Sequence, residues 1–99
     1  MKKATPRKPV TKKSIIAAVI EATGIKPEYV EFSKFEGEYY WCGKAAATFT
    51  ETNTYLKRLN DVPLERWVTD FEAKIKDTLQ HSGFSHINDY IESIDWNDI

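Results

Sequence analysis

The sequence predicts an α+β domain: an N-terminal helix, an antiparallel β-hairpin or three-stranded sheet, a long amphipathic helix and a short C-terminal helix. Three observations support this prediction. A capped apolar stripe follows residue 11, an alternating aromatic stretch follows residue 28, and apolar side chains recur every three or four residues after residue 63. We therefore expect the helices to pack on one face of the sheet.

The first helix is predicted over residues 12–23. Thr11 is a favourable N-cap, and Val10 is placed to pack against Ile15 as a hydrophobic staple. One face of this helix is apolar, with Ile15, Ile16, Val19 and Ile20. Gly24 is expected to end the helix in the left-handed conformation.

Two strands are predicted next, with a tight reversal at Glu36 and Gly37. The first contains the β-forming residues Tyr29, Val30, Phe32 and Phe35. The second begins at Glu38 and alternates as far as Thr50, with a bulge or kink at Gly43. Its expected buried face consists of Tyr39, Trp41, Gly43, Ala45, Ala47 and Phe49.

Residues 51–60 carry two conflicting patterns. Threonine recurs at every second position from 48 to 54, which favours extended structure. A helical stripe is also compatible with the same region, through Ala45, Phe49, Thr52, Leu56 and Leu59. We predict a turn over 51–53 and a third strand over 54–59.

The long helix is predicted to be capped by Asp61 and to end at Gly83. Its apolar positions are three or four residues apart: Leu64, Trp67, Val68, Phe71, Ile75 and Leu79. A short last helix is predicted from the spacing of Ile87, Tyr90, Ile91 and Ile94.

Length and composition favour one globular domain over residues 10–99, preceded by a basic arm over residues 1–9. The longest apolar run has six residues, Ile15 to Ile20, which is far short of the roughly 20 needed to span a bilayer. The single cysteine, Cys42, excludes an internal disulfide and fits a reducing compartment. We therefore expect a cytoplasmic protein.

Catalytic and ligand-binding patterns are weak. His81 and His86 flank Gly83, so no common helical face aligns them as metal ligands. Glu72 and Lys74 have the spacing of a nuclease Glu-x-Lys pair, but the periodicity places both within a helix. We predict a protein that is not an enzyme and that uses neither cofactor nor metal.

The charge distribution points to a binding function. The first 13 residues hold six of the 14 basic side chains and none of the 15 acidic ones, so the rest of the chain carries eight basic and 15 acidic groups, a net charge of −7. A small acidic domain with this asymmetry is typical of proteins that act by contact. We expect a regulator or inhibitor, of the kind that phages and mobile elements also encode.

The C-terminal segment is the leading candidate for the contact with a basic protein surface. It combines acids and an aromatic residue: Asp89, Glu92, Asp95, Trp96 and Asp98. Acidic groups beside an apolar anchor suit a basic, partly apolar groove on a partner. The other interpretation is that the isoleucines of this segment close the core and its acids face water.

The alternative function is nucleic-acid binding. It would use the basic side chains of the arm and of the first helical turn, Lys2, Lys3, Arg7, Lys8, Lys12 and Lys13, together with a sheet face bearing Tyr40 and Lys44. Basic groups neutralise phosphates and aromatic rings stack on bases. Tyr29 could join that face or simply pair with Tyr40 across the hairpin. The arm could also dock on an acidic protein or serve only as a solvated tail.

Overall fold

The computed structural model describes residues 10–98, and the predicted basic arm therefore lies outside the described residues. The main elements are α1 (Lys12–Thr23), β1 (Glu31–Phe35), β2 (Glu38–Cys42), α2 (Gly43–Ala47), α3 (Leu64–Ser82) and α4 (Ile87–Ser93). Short 3-10 turns occupy Pro27–Tyr29, Leu59–Asp61 and Trp96–Asp98. The α+β class predicted from the sequence is confirmed.

Helix α1 has the bounds that its capping signals predicted. The hydroxyl of Thr11 accepts the backbone N–H of Ser14 at 3.1 Å, and the hydroxyl of Ser14 accepts the N–H of Thr11 at 2.9 Å. Gly24 ends the helix with φ 73°. These local bonds satisfy N–H groups that would otherwise lack partners at a helix start, which explains why the boundary could be read from a few residues.

The β-hairpin turns at Glu36 and Gly37, which have φ 51° and φ 86°. Positive φ at both central residues is the requirement of the two-residue turn that matches strand twist. The resulting register pairs Phe32 with Trp41, and both side chains are buried on the face that the helices cover. Tyr29, expected in the first strand, lies before it in a 3-10 turn.

The second strand is shorter than predicted, because the chain leaves it at Gly43 and forms α2. Gly43 has φ 89°, and a Cβ there would approach the carbonyl oxygen of Tyr29 to 3.2 Å. The prediction of a strand through Thr50 was therefore wrong. Ala45 and Ala46 are both buried, which two successive residues of a half-buried strand cannot be.

The predicted third strand over 54–59 is also wrong. The segment does lie alongside β2, where the N–H groups of Tyr39 and Trp41 donate to the carbonyls of Leu56 and Thr52, each at 2.9 Å. Regular pairing is limited to one bridge, between Tyr40 and Asn53. The pairing is interrupted at Tyr55, which has φ 61° and whose N–H donates to the side chain of Asn53 at 2.8 Å.

Helix α3 begins at Leu64, two residues later than the predicted cap at Asp61 implied. The Asp61 carboxylate instead accepts the N–H of Arg58 at 3.0 Å and closes the preceding 3-10 turn. Pro63 then occupies the N-cap position, and Gly83 ends the helix with φ 80°, as predicted.

The core joins the inner face of the hairpin to α1, α3 and α4. Its largest fully buried side chains are Trp41, Trp67, Phe32, Phe71, Ile15, Ile25, Ile87, Ile91 and Val19. Helix α4 contributes Ile87 and Ile91, so the isoleucines of this segment do close the core. Within the described part of the chain, no helix is both long and apolar enough to cross a bilayer.

Candidate functional site

The C-terminal residues predicted to bind a partner lie on and after α4, and three of them make contacts within the chain. The Glu92 carboxylate accepts hydrogen bonds from the Lys26 ammonium and, at 2.9 Å, from the hydroxyl of Tyr29. These bonds favour the ionised carboxylate, so the pKa of Glu92 is lowered and that of Lys26 is raised. Asp89 is exposed to solvent.

Trp96 is half-buried rather than presented to solvent. Its indole N–H donates to the carbonyl of Ile91 at 3.0 Å, and it packs against the core. Asp95 is exposed, and its carboxylate accepts the N–H of Asn97 at 3.1 Å. The side chain of Asp98 lies outside the described residues. The C-terminal segment thus offers exposed carboxylates, but its aromatic residue is engaged in the fold.

The predicted platform of Tyr40 and Lys44 is not assembled. Lys44 belongs to α2, and its ammonium lies over the rings of Trp96 and Tyr29, at 5.4 and 5.9 Å from their centroids. Tyr40 lies on the outer face of the hairpin, opposite Ser33 in the strand register. Tyr29 is buried and precedes β1, so it neither joins the outer face of the hairpin nor pairs with Tyr40 across it.

Besides Lys44, two of the basic residues assigned to nucleic-acid binding are described, Lys12 and Lys13, and both are exposed in the first turn of α1. The Lys12 ammonium forms an ion pair with Glu31 at 2.9 Å, and this contact lowers the pKa of the Glu31 carboxyl. Lys13 is not among the residues that form ion pairs within positions 10–97. The other four, Lys2, Lys3, Arg7 and Lys8, lie outside the described residues.

An exposed aromatic surface, not foreseen from the sequence, lies on the outer side of the hairpin. Phe35 and Tyr55 are each 63 % exposed, and Tyr40 is half-buried beside them. The rings of Phe35 and Tyr40 meet edge to face, with centroids 6.2 Å apart. Large exposed aromatic side chains in one area are unusual on a small domain and commonly mark a contact surface.

Carboxylates surround these rings. Glu38 pairs with Phe35 in the strand register and accepts a hydrogen bond from the Asn53 amide at 3.2 Å. Glu51 accepts the hydroxyl of Tyr55 at 2.8 Å. Glu36 is exposed in the turn itself. We call this surface the hairpin face, and it comprises Phe35, Glu36, Glu38, Tyr40, Glu51 and Tyr55.

The electrostatics of the hairpin face are negative and locally uncompensated. The hydrogen bond to Glu51 and the charge of Glu51 raise the pKa of Tyr55, with a smaller contribution from the charge of Glu38. Across positions 10–97, the ion pairs are Lys12–Glu31, Lys26–Glu92 and Lys74–Asp70, and the imidazole of His81 lies 3.7 Å from the Asp77 carboxylate. None of these involves a carboxylate of the hairpin face.

Tyr55 is held in position by local contacts. Its backbone has φ 61°, a left-handed conformation that is rare for a bulky residue. The buried side chain of Asn53 accepts the N–H of Tyr55 at 2.8 Å and stabilises this turn. The ring consequently projects from the surface at the edge of β2 instead of continuing an alternating strand.

The face on which Phe35 lies could have been found from the sequence. In a strand, residues three apart lie on opposite faces, so Phe35 must point away from the buried Phe32 once the turn at Glu36 and Gly37 fixes the register. Phe32 and Phe35 are both β-forming residues, and this shared property does not distinguish the two faces of the strand. Tyr55 had no comparable signal, because its position depends on the long-range bridge from Asn53 to β2.

The residues considered for catalysis or metal binding have structural contacts. His86 caps α4 by accepting the N–H of Asn88 at 3.1 Å, and Lys74 contacts both carboxylate oxygens of Asp70 at 3.0 Å. No group of three or more histidine, cysteine, aspartate or glutamate residues suited to a metal ion occurs in the part of the chain described. Cys42 is half-buried, with its Sγ 3.9 Å from the Ser33 hydroxyl.

No protein-family model matches this chain, and neither the curated proteins nor the solved structures contain a significant match to it.

Proposed function

We propose that this chain is a non-enzymatic binding protein that contacts a basic surface on another protein. The observation that carries this proposal is the hairpin face, where exposed aromatic rings lie among carboxylates that form no ion pair within residues 10–97. Its chemistry is that of an acidic contact surface with apolar anchors.

The aromatic residues would supply most of the binding free energy. Phe35 and Tyr55 are each 63 % exposed, so a partner could remove a large part of their apolar area from water. Full burial of such a side chain contributes about 1.5–3 kcal/mol, before the cost of association is subtracted. Partly exposed rings thus serve as anchors, while the carboxylates at the rim mainly steer association.

The C-terminal acids extend this acidic character without supplying a comparable anchor. Glu92 binds Lys26 and Tyr29, and Trp96 packs into the core, so a partner would have to break contacts within the chain to use them. Exposed Asp89 and Asp95 remain available for long-range attraction. The assignment of the C-terminal segment as the binding site stays a prediction, and we favour the hairpin face over it.

The nucleic-acid alternative has less support. The net charge of −7 carried by residues 14–99 opposes approach to a phosphate backbone, and Lys12 and Lys44 already contact groups of the chain itself. This alternative can be tested by titrating labelled DNA and RNA with the protein at a series of salt concentrations. Binding that falls steeply with salt and is lost when Lys2, Lys3, Arg7 and Lys8 are changed to glutamine would favour this alternative.

A regulator or inhibitor in the cytoplasm remains the role that we propose, including the possibility of a phage or mobile-element origin. Support comes from the small size, the acidic domain and the single unpaired cysteine. These features are compatible with the role, whereas the identity of the partner must come from experiment.

The test is affinity capture with the tagged full chain from cells of the organism that encodes it. Phe35→Ala combined with Tyr55→Ala removes the two exposed rings, and Phe84→Ala removes a partly exposed ring from a different surface and serves as the control. We expect a basic protein to be captured by the wild type and by the control, but not by the double variant. Identical captured proteins with all three would show that the hairpin face is not the binding site.

A further inference from the structure

We infer that the hairpin face recognises arginine side chains, so that its partner is an arginine-bearing protein segment. This inference rests on the proposed function and specifies the chemistry of the same surface. It follows from two features that lie side by side there, exposed aromatic rings and carboxylates. Guanidinium is the one cationic side-chain group in proteins that can stack on a ring and bind a carboxylate through two parallel hydrogen bonds.

The rings offer stacking surfaces. Phe35 and Tyr40 are arranged edge to face, with their ring planes at 71°, so the rings are not stacked on each other and cannot cover each other's faces fully. Phe35 and Tyr55 keep most of their surface in contact with solvent. A planar cation within about 6 Å of a ring centroid is attracted by the negative face of the ring. The hairpin face therefore provides places for a guanidinium to lie flat.

The carboxylates of the hairpin face supply hydrogen-bond acceptors for a guanidinium that lies on a ring. Glu38 and Glu51 are each held by a neutral donor, the Asn53 amide and the Tyr55 hydroxyl. Each of these hydrogen bonds uses a single carboxylate oxygen, Oε1 of Glu38 and Oε2 of Glu51, which leaves acceptor capacity on each group. The neutral donors orient the carboxylates without cancelling their charge, so an incoming cation meets positioned acceptors.

On two other surfaces of the described chain, aromatic rings and carboxylates already contact lysine side chains of the chain itself. At the C-terminal segment, Lys44 lies over Trp96 and Tyr29, and Lys26 binds Glu92. Beside β1, Lys12 binds Glu31 and lies over Phe32. Lys26, which also lies over the ring of Tyr29, and Lys12 thus each contact a ring and a carboxylate together. The hairpin face has the same pair of groups without such a cation from residues 10–97, and the occupant we assign comes from a partner.

The experiment measures the affinity of the full chain for three fluorescent octapeptides in which glycine alternates with arginine, lysine or glutamine. Fluorescence anisotropy at low ionic strength gives each Kd. We expect the arginine peptide to bind about fivefold more tightly than the lysine peptide, and the glutamine peptide not to bind. Phe35→Ala and Tyr55→Ala should each weaken arginine-peptide binding about threefold to fivefold, and Glu51→Gln by a similar factor.

Matched controls separate the hairpin face from general charge. Phe84→Ala and Glu72→Gln change an aromatic and an acidic residue away from the hairpin, and both should leave the affinity within twofold. Circular dichroism confirms that each variant is folded. Chemical-shift mapping with the arginine peptide should perturb Phe35 and Tyr55 more than Asp89 and Asp95, whereas the reverse pattern would refute the inference and favour the C-terminal segment.

Three other outcomes would also overturn the inference. Equal affinity for arginine and lysine peptides, weakened by the hairpin variants, removes the arginine preference while leaving the proposed function intact. A chain with Lys2, Lys3, Arg7 and Lys8 changed to glutamine that binds the arginine peptide more than threefold more tightly would show that the arm of the same chain occupies the face. Self-association in sedimentation that Phe35→Ala abolishes would assign the face to a second copy.

Failure of the proposed function has a different signature. In that case the double variant of Phe35 and Tyr55 captures the same cellular proteins as the wild type, whatever the peptides do. The peptide series and the capture experiment therefore report on the two claims separately.

Discussion

Trp67 provides the clearest test of how the core is built. It lies at the centre of the domain with 0 % exposure, and its ring is 5.3 Å from that of Phe32 and 6.2 Å from that of Trp41. Its indole N–H also donates to the carbonyl of Leu59 at 3.1 Å. The side chain thus joins α3 to the hairpin and to the 3-10 turn that precedes the helix.

The expected loss of stability on replacing Trp67 follows from these contacts. Truncation of a buried tryptophan to alanine costs about 3–5 kcal/mol in lost burial and cavity formation. Loss of the indole donor leaves the Leu59 carbonyl without that partner and adds about 1 kcal/mol. A domain of this size has a free energy of unfolding of about 5–15 kcal/mol, so Trp67→Ala should remove a large fraction of it. Trp67→Phe retains most of the aromatic packing and should cost less, about 2 kcal/mol.

Urea denaturation followed by far-ultraviolet circular dichroism measures both changes on the same scale. Trp96→Phe is the matched control, because Trp96 also donates its indole N–H to a backbone carbonyl but is only half-buried. We expect the losses to rank Trp67→Ala, then Trp67→Phe, then Trp96→Phe. A Trp67→Ala variant with an unchanged unfolding midpoint would refute the packing argument.

Three further predictions concern the backbone and the charges. Gly43→Ala should destabilise the fold by about 1–3 kcal/mol in urea titrations, because φ is 89° and a Cβ would lie 3.2 Å from a carbonyl oxygen. Gly37→Ala, with φ 86° but no atom within 4 Å of its Cβ, should cost less, and the opposite order would contradict the steric argument. Because the pKa of Glu92 is lowered in the folded state, its ion pair with Lys26 stabilises the fold above the unfolded pKa of about 4.3, and this contribution is lost as the pH falls through the folded pKa. Urea midpoints measured against pH should therefore differ between wild type and Glu92→Gln at neutral pH and converge in acid; a difference that persists in acid would exclude this origin. Tyr55→Gly should be more stable than Tyr55→Ala, by about 1 kcal/mol, because glycine adopts φ 61° without strain, and equal stability by the same assay would show that the left-handed backbone carries no cost.

The elements predicted correctly are those whose ends are set by neighbouring residues. Thr11 and Gly24 bound α1, and Gly83 ends α3, through hydrogen bonds and backbone angles that involve only a few adjacent positions. The hairpin turn at Glu36 and Gly37 belongs to the same class. Local chemistry is visible in a sequence, because the interacting groups are close together along the chain.

The secondary-structure predictions were wrong where the local sequence pattern was compatible with two structures. The alanines after Gly43 fit an alternating strand and a helix equally well, since small side chains mark neither period strongly. Residues 51–60 depend on pairing with β2 across the fold, and the pairing is interrupted at Tyr55. The start of α3 was misplaced because Asp61 caps a different turn from the expected one.

The candidate site also combines features that the sequence determines with features that depend on tertiary packing. The amino-acid sequence by itself determined the charge asymmetry, both ends of α1, the C-terminal end of α3 and the two-residue turn, since each depends on composition or on neighbouring groups. Only the tertiary structure decided that Glu92 binds Lys26, 66 positions away, and that Trp96 packs inward. The same packing left Phe35 and Tyr55 exposed. The helices cover one side of the hairpin, the strand register places Phe35 on the other side, and the bridge from Asn53 to β2 positions Tyr55 at its edge.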